Sequence, residues 1–215
     1  MALPRLGPKW GHLVKRALTL LGAEPLATPG AVAVMSELLD HVARWAGSVD
    51  LTAARTPEQL VDLYVADAAI LACHPIPGAC DWVDVGAGGG APGLVLAVFE
   101  PKATLTLVEP RSKRLAFLRT VGSMLAPGRT VALRQRSETL EDLSWDMAVS
   151  RATLPPAEWL REGARLARLG VWVLLARGEV PSLSGWEVAH DVSYALPFSG
   201  SPRRAVCFVP GSARG

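Results

Sequence analysis

From residue 82 to residue 98 the chain reads WVDVGAGGGAPGLVLAV: an apolar run of strand length, a cluster of glycines from Gly86 to Gly90, then a second apolar run. A strand that passes through a glycine loop straight into a helix is the opening unit of a doubly wound sheet, where the backbone at the strand's carboxyl end comes close to a ligand. The chain beyond repeats this alternation. TLTLVE precedes a helical pattern over 112–125, TVALR precedes a loop, WDMAVS precedes a helical pattern over 155–168, and VWVLLA supplies a fifth strand. Apolar runs alternating with helices predict a parallel sheet covered on both faces. Segments near 187–196 and 205–209 are expected to close it as an antiparallel pair. The fold class is thus α/β, a doubly wound, mostly parallel sheet of seven strands.

Three amphipathic helices are predicted ahead of the first strand. Trp10, Leu13, Val14, Ala17, Leu18 and Leu21 recur at helical spacing. Thr28 with Pro29, and Thr56 with Pro57 and Glu58, are N-cap and first-turn signatures for the next two, the second ending near Gly47 and the third near Leu71. The expected organisation is a helical extension over 1–75 packed on a core over 76–215, together one compact unit.

Composition excludes some function classes. Half of the residues are hydrophobic and a fifth charged, which argues against disorder, and no apolar run reaches bilayer-spanning length, so no membrane role is expected. The apolar stretch after Lys15 is short and lacks a small-residue cleavage site, against a secretory signal. Cys73, Cys80 and Cys207 are odd in number and show no metal-ligand spacing, so reduced thiols, no metal and a cytoplasmic location are expected. The net charge of +2 says little about a polyanionic partner. Arginine clustering says more: Arg111, Lys113, Arg114 and Arg119, then Arg134 and Arg136, then Arg203 and Arg204.

GAGGGA satisfies the dinucleotide fingerprint only weakly, and no Lys-Ser/Thr pair follows to make it a phosphate loop. Glu109 ends the second strand, where a carboxylate accepts both hydroxyls of a ribose in NAD enzymes and S-adenosylmethionine enzymes alike. Asp84 lies two residues before Gly86 in an apolar strand. A carboxylate there suits the amino group of a methionine moiety and repels a pyrophosphate, while hydrogen bonding to loop amides is an equal alternative reading. Arg151, just past the fourth strand, is a cation at the crevice, with a surface salt bridge as its plainer reading. No Ser/His/Asp or Cys/His constellation stands out, and no second domain exists to hold a dehydrogenase substrate, so a reaction that needs little side-chain chemistry is favoured over an NAD-dependent one.

Taken together, WVDVGAGGGAPG, LVEPRSKRLAFL, RQRSE and MAVSRA, with Trp45, LTAARTPEQL (51–60) and Asp67 upstream, resemble the bacterial glucose-inhibited division protein B family. The resemblance implies a class I, Rossmann-like methyltransferase that uses S-adenosyl-L-methionine to modify guanine N7 in small-subunit ribosomal RNA. By position it implies that Gly86, Gly88 and Ala91 line the methionine part of the cofactor, that Glu109 holds the ribose, that Ser137 and Glu138 flank the adenine, and that Arg151 lies beside the cofactor near the target base. The partner would be ribosomal RNA or an assembling subunit, met by a monomer, with Arg111, Lys113, Arg114, Arg177, Arg203 and Arg204 as candidate RNA contacts. A solvated helix face is the plainer reading of the cations over 111–119. Guanine N7 has an in-plane lone pair and no proton to lose, so its methylation needs alignment more than a base. Cytosine C5 would demand a cysteine nucleophile, and all three cysteines lie outside the cofactor motifs.

The chain departs from the family at Asp50 (usually Asn), at Leu63 and Tyr64 (usually Arg-His), at Ala68 (usually Ser) and at Arg177 (commonly Lys). The changes at 50, 63, 64 and 68 are expected to remove positive charge and polar reach from the wall beside the cofactor, whereas Arg177 keeps a cation of different shape. The acceptor stays open: the same nucleotide, another acceptor, or binding without turnover.

Overall fold

The computed structural model describes residues 3–211. Helices α1 (Trp10–Leu20), α2 (Pro29–Trp45) and α3 (Pro57–Cys73) come first, followed by β1 (Asp81–Val85), α4 (Gly93–Phe99), β2 (Thr104–Val108), α5 (Ser112–Leu125), β3 (Thr130–Leu133), β4 (Trp145–Ser150), α6 (Pro156–Leu166), β5 (Ala167–Leu175), β6 (Trp186–Ala195) and β7 (Pro202–Pro210). The expected caps form: Thr28 Oγ1 accepts from the Ala31 amide at the head of α2, and Thr56 Oγ1 from the Gln59 amide at the head of α3.

The seven strands run in the order β3-β2-β1-β4-β5-β7-β6. The first five are parallel, and β7 inserts antiparallel between β5 and β6. The winding direction reverses between β1 and β4, so their carboxyl ends form the crevice where open α/β sheets bind ligands.

One boundary differs from expectation. The helical pattern over 155–168 stops at Leu166, because Ala167 already pairs with Trp145 as the first residue of β5. Sheet pairing overrides an amphipathic pattern that would otherwise run on. A turn of 3-10 helix at Ser137–Thr139, within the segment expected to be a loop, turns the chain past the end of β3.

Trp10, Met35, Leu38, Leu60 and Tyr64 from the N-terminal helices share one continuous buried core with Leu96, Leu105, Phe117 and Trp172. On the opposite face α6 seals Val83, Val85, Ala148, Val171 and Phe208 beneath Trp159 and Leu160. Each fully buried large apolar side chain contributes roughly 1.5–3 kcal/mol, so the sheet is fixed from both sides and its strand ends form a rigid rim.

Candidate active site

The loop after β1 is shaped by close contact. Gly86 and Gly88 adopt φ of +73° and +55°, which favour glycine. At Gly89 the constraint is space: a Cβ would collide with the Tyr64 hydroxyl and lie 2.5 Å from the carbonyl oxygen of Leu51. Two buried carboxylates answer the backbone amides of this region. Glu109, 3 % exposed, accepts from the Gly88 amide on Oε2 at 3.1 Å and from the Arg111 amide on Oε1 at 2.8 Å. Asp84, 1 % exposed, accepts from the Gly93 amide at the start of α4 on Oδ2 at 2.8 Å. Its carboxylate thus lies beneath the first turn of α4 and not in the open mouth of the loop. Asp84 Oδ1 is buried without a partner, and burial first of all raises the carboxyl to about 7, with the Gly93 amide and Arg151 opposing. An unpartnered buried acceptor favours a cationic donor.

Beside Glu109 a cavity of about 180 Å³ is lined by Gly86, Val108, Pro110, Ser137, Glu138 and Leu154, among others. Ser137 is buried and Glu138 exposed, so the pair forms a floor and a rim. Ala91 is buried behind the loop, outside this lining. The fit to an adenosyl group is good: glycines allow close approach, an apolar strand end flanks a flat base, and each Glu109 oxygen keeps a lone pair beyond its amide.

The segment after β4 divides this cavity from a larger one. Ser150 Oγ lies 2.8 Å from the Val85 carbonyl and 2.7 Å from Thr153 Oγ1. Thr153 thereby packs on Gly86, where a Cβ would collide with it. Between them Ala152 sits at φ +57°, a left-handed conformation that costs a non-glycine residue roughly 1–2 kcal/mol. Thr153 and Leu154 line both cavities. The second, of about 360 Å³, is walled by Pro156, Trp159, Val173 and Leu175 and carries Asp67, Arg151, Tyr194, Arg177 and Arg203. Arg151 donates through Nη1 to the Leu63 carbonyl and to Asp67 Oδ2 at 3.4 Å; Tyr194 donates to Asp67 Oδ1 at 2.5 Å.

Two adjoining cavities, one beside a buried carboxylate and one with cations and apolar walls, give two ligands a common seam; Glu109 and Gly88, like Ala91, lie outside the lining of the smaller one. Residues 31–189 match the family described as rRNA small subunit methyltransferase G. The chain belongs to this family. Relatives named ribosomal RNA small subunit methyltransferase G include that of Stenotrophomonas maltophilia, 31 % identical over 84 % of this chain and 90 % of its own length. That of Methylibium petroleiphilum is 33 % identical over 83 % and 80 %, and that of Leptothrix cholodnii 30 % over 92 % and 96 %. A Pyrococcus horikoshii protein of known structure overlays with a TM-score of 0.54, covering 74 % of this chain and 66 % of that one at 13 % identity, a likeness of fold alone. The protein is an S-adenosyl-L-methionine-dependent methyltransferase of small-subunit ribosomal RNA.

Within this methyltransferase the candidate RNA contacts fall into two groups. Arg177 and Arg203 share the large cavity with Arg151. Arg111, Lys113 and Arg114 meet Arg134 around a recess of about 550 Å³ at the head of α5, and Arg114 also lines a third cavity, of about 430 Å³, with Arg151 and Arg203. Two candidates are already engaged: Arg114 holds Asp50 by its carbonyl and its carboxylate, both at 2.7 Å, and Arg204 forms a fork with Asp191 at 2.7 and 2.6 Å.

The departures at 50 and 64 turn out to be structural contacts. Asp50 anchors the segment before α3 to Arg114, and the Tyr64 hydroxyl donates to the Gly89 carbonyl at 2.9 Å, whereas Leu63 meets Arg151 only through its main-chain carbonyl, which any residue would supply. Tyr64 therefore keeps a polar reach to the glycine loop, contrary to expectation. Ala68 is buried and contributes none. The sequence reading missed Thr153 and Tyr194. Tyr194 alternates with exposed neighbours in β6 and is half-buried against the core, a pattern that does not name its partner on α3.

Proposed function

We propose that the protein methylates N7 of an unpaired guanine in small-subunit ribosomal RNA, the base entering the 360 Å³ cavity and the cofactor's adenosyl group the 180 Å³ one. The observation that carries this reading is the shared wall at Thr153 and Leu154, which brings the two ligands to one seam. Bound there, S-adenosyl-L-methionine supplies an electrophilic methyl group on a sulfonium. Glu109 holds the ribose, Gly86 and Gly88 admit the methionine part with Ala91 behind them, and Ser137 and Glu138 bracket the adenine. Asp84, buried beneath the first turn of α4 and lining neither cavity, supports the loop from below through the Gly93 amide. Arg151 orients the base from the opposite side, and Trp159, Val173 and Leu175 exclude water from the seam.

The cavity chemistry supports N7. Its one lining carboxylate, Asp67, already serves Arg151 and Tyr194, and none of Cys73, Cys80 and Cys207 lines it. A nucleophile with a free lone pair needs neither base nor thiol. Arg203 and Arg177 at the rim, with Arg111, Lys113 and Arg134 at the second recess, supply phosphate contacts that position the RNA without reading its sequence. The base must be unpaired to reach so deep a seam, which fits free ribosomal RNA or an assembling subunit. We read the working form as a monomer acting in the cytoplasm, with residues 1–75 as a helical extension of the 76–215 core.

Transfer of a radiolabelled methyl group to total RNA from a strain lacking the gene, with mass-spectrometric mapping, tests the proposal. Label at one small-subunit guanine as 7-methylguanosine is the expected result. Label in any other nucleoside, or none with cofactor binding retained, would overturn the N7 assignment.

A further inference from the structure

Arginine and carboxylate side chains prefer to meet as a fork, two parallel N–H···O bonds that consume both oxygens and two guanidinium nitrogens. Arg204 and Asp191 do so on the surface of this protein. Arg151 and Asp67 do not. Only Arg151 Nη1 reaches Asp67, on Oδ2, while the Tyr194 hydroxyl donates to Oδ1. Among the described residues no acceptor engages Nη2 or Nε of Arg151. All three side chains line the large cavity, and they come from three distant segments, Asp67 lying 84 residues from Arg151 and 127 from Tyr194.

The carboxylate torsion of aspartate is soft, so a single partner on one oxygen decides where the other points. Asp67 is 6 % exposed, and water is no competitor for that place. We propose that Tyr194 is a positioning residue: by anchoring Asp67 Oδ1 it fixes the torsion of the carboxylate so that Arg151 meets it through Nη1 alone, not as a two-bond fork, and keeps Nη2 and Nε available to the target base. This rests on the reading of Arg151 as the group that orients the base. Burial and the neighbouring Asp67 charge hold the Tyr194 phenol well above its ordinary range, so its proton stays on the donor at any working pH.

The experiment is a double-mutant cycle on methyl transfer to small-subunit ribosomal RNA from a strain lacking the gene, with kcat and KM for RNA and Kd for S-adenosyl-L-methionine measured for each protein. Tyr194→Phe keeps the ring and removes the donor. It is expected to lower kcat about tenfold through loss of alignment, with KM and cofactor Kd within about twofold. Arg151→Lys cannot form a fork, having no second nitrogen in a fixed plane. On that background Tyr194→Phe is expected to change kcat by less than about twofold. An unchanged kcat in Tyr194→Phe overturns the proposal, as does a tenfold loss that persists undiminished beside Arg151→Lys, since Tyr194 would then act elsewhere. If Arg151→Lys and Arg151→Gln both leave kcat at the parent level, the orienting role of Arg151 fails first and the proposal falls with it.

Discussion

The small cavity beside Glu109 and the large one around Arg151 share a wall but are made of different material. The first is built from short consecutive segments at strand ends, and its polar contacts are mostly backbone amides answering a buried carboxylate. The second gathers side chains from α3, β6, β7 and the ends of β4 and β5, held to one another by ion pairs and hydroxyls. A backbone-built site tolerates side-chain change along its rim but no added atom at its floor. A side-chain-built site behaves in the opposite way, and its acceptor can be retuned one residue at a time.

The largest expected effects lie under the glycine loop. Asp84 has a folded-state pKa near 7, against an ordinary unfolded value near 3.8, because burial disfavours its charge. The folded chain therefore holds a proton that the unfolded chain has lost between those values, and stability falls as pH rises from about 4 to about 7. Asp84→Asn keeps an acceptor for the Gly93 amide and has no such fall. In denaturant unfolding at pH 4 and pH 8 the variant should gain on the parent by on the order of 4 kcal/mol across that window. An unchanging difference would mean that Asp84 ionises beside a cation already in place.

Gly89→Ala ranks next. Its methyl group would meet a main-chain oxygen and a buried hydroxyl, neither of which yields easily, so a loss of about 3 kcal/mol is expected in the same assay. Gly88→Ala meets nothing nearer than 3.6 Å and carries only the positive-φ cost of roughly 1–2 kcal/mol. Equal losses at the two positions would end the claim that sterics at Gly89 shape the floor.

Glu109→Ala tests the ribose side of the small cavity. It leaves the Gly88 and Arg111 amides unanswered and removes the ribose acceptor, for which a charged hydrogen bond is worth about 2 kcal/mol. Calorimetry should show cofactor Kd raised by roughly 30-fold, with kcat at saturating cofactor nearly unchanged because the contact is made equally in ground and transition states. A fall in kcat instead would tie Glu109 to the methyl-transfer geometry.

The same contrast explains how far the amino-acid sequence could be read. In a parallel sheet consecutive strand ends come out on one edge, so the loops at Gly86, Glu109, Ser137 and Arg151 were bound to converge once the strands were recognised. The capping threonines and the strands were equally local. What escaped was tertiary. Nothing near Tyr194 says that β7 inserts between β5 and β6 and leaves the tyrosine against α3. Nor could α3 be recognised as a clamp. It reads as part of a helical extension, yet Asp62 accepts the Phe198 and Ser199 amides of the β6–β7 turn, Tyr64 holds the glycine loop, and Asp67 holds Arg151. Its hydrophobic periodicity is blurred because the helix is buried almost all round.

The smallest expected effects separate free cations from engaged ones. Arg204 is spent on Asp191 at an exposed position, whereas Lys113 is exposed at the recess beside Arg111 and Arg134 and forms no ion pair among the described residues. A cation that binds phosphate releases counterions, and each such contact on single-stranded RNA contributes a slope of about 0.7 in log affinity against log salt. Lys113→Ala should therefore weaken RNA binding severalfold at low salt and flatten that slope by about this amount. Arg204→Ala should leave the slope where it was, because the residue's charge is already balanced in the free protein. If Arg204→Ala flattens the slope as much as Lys113→Ala does, the fork with Asp191 opens on RNA, and the RNA footprint extends from the cavity rim along β6 and β7. If neither does, Lys113 makes no phosphate contact, and the slope must be carried by Arg111 and Arg134 in the same recess or by Arg177 and Arg203 at the mouth of the acceptor cavity.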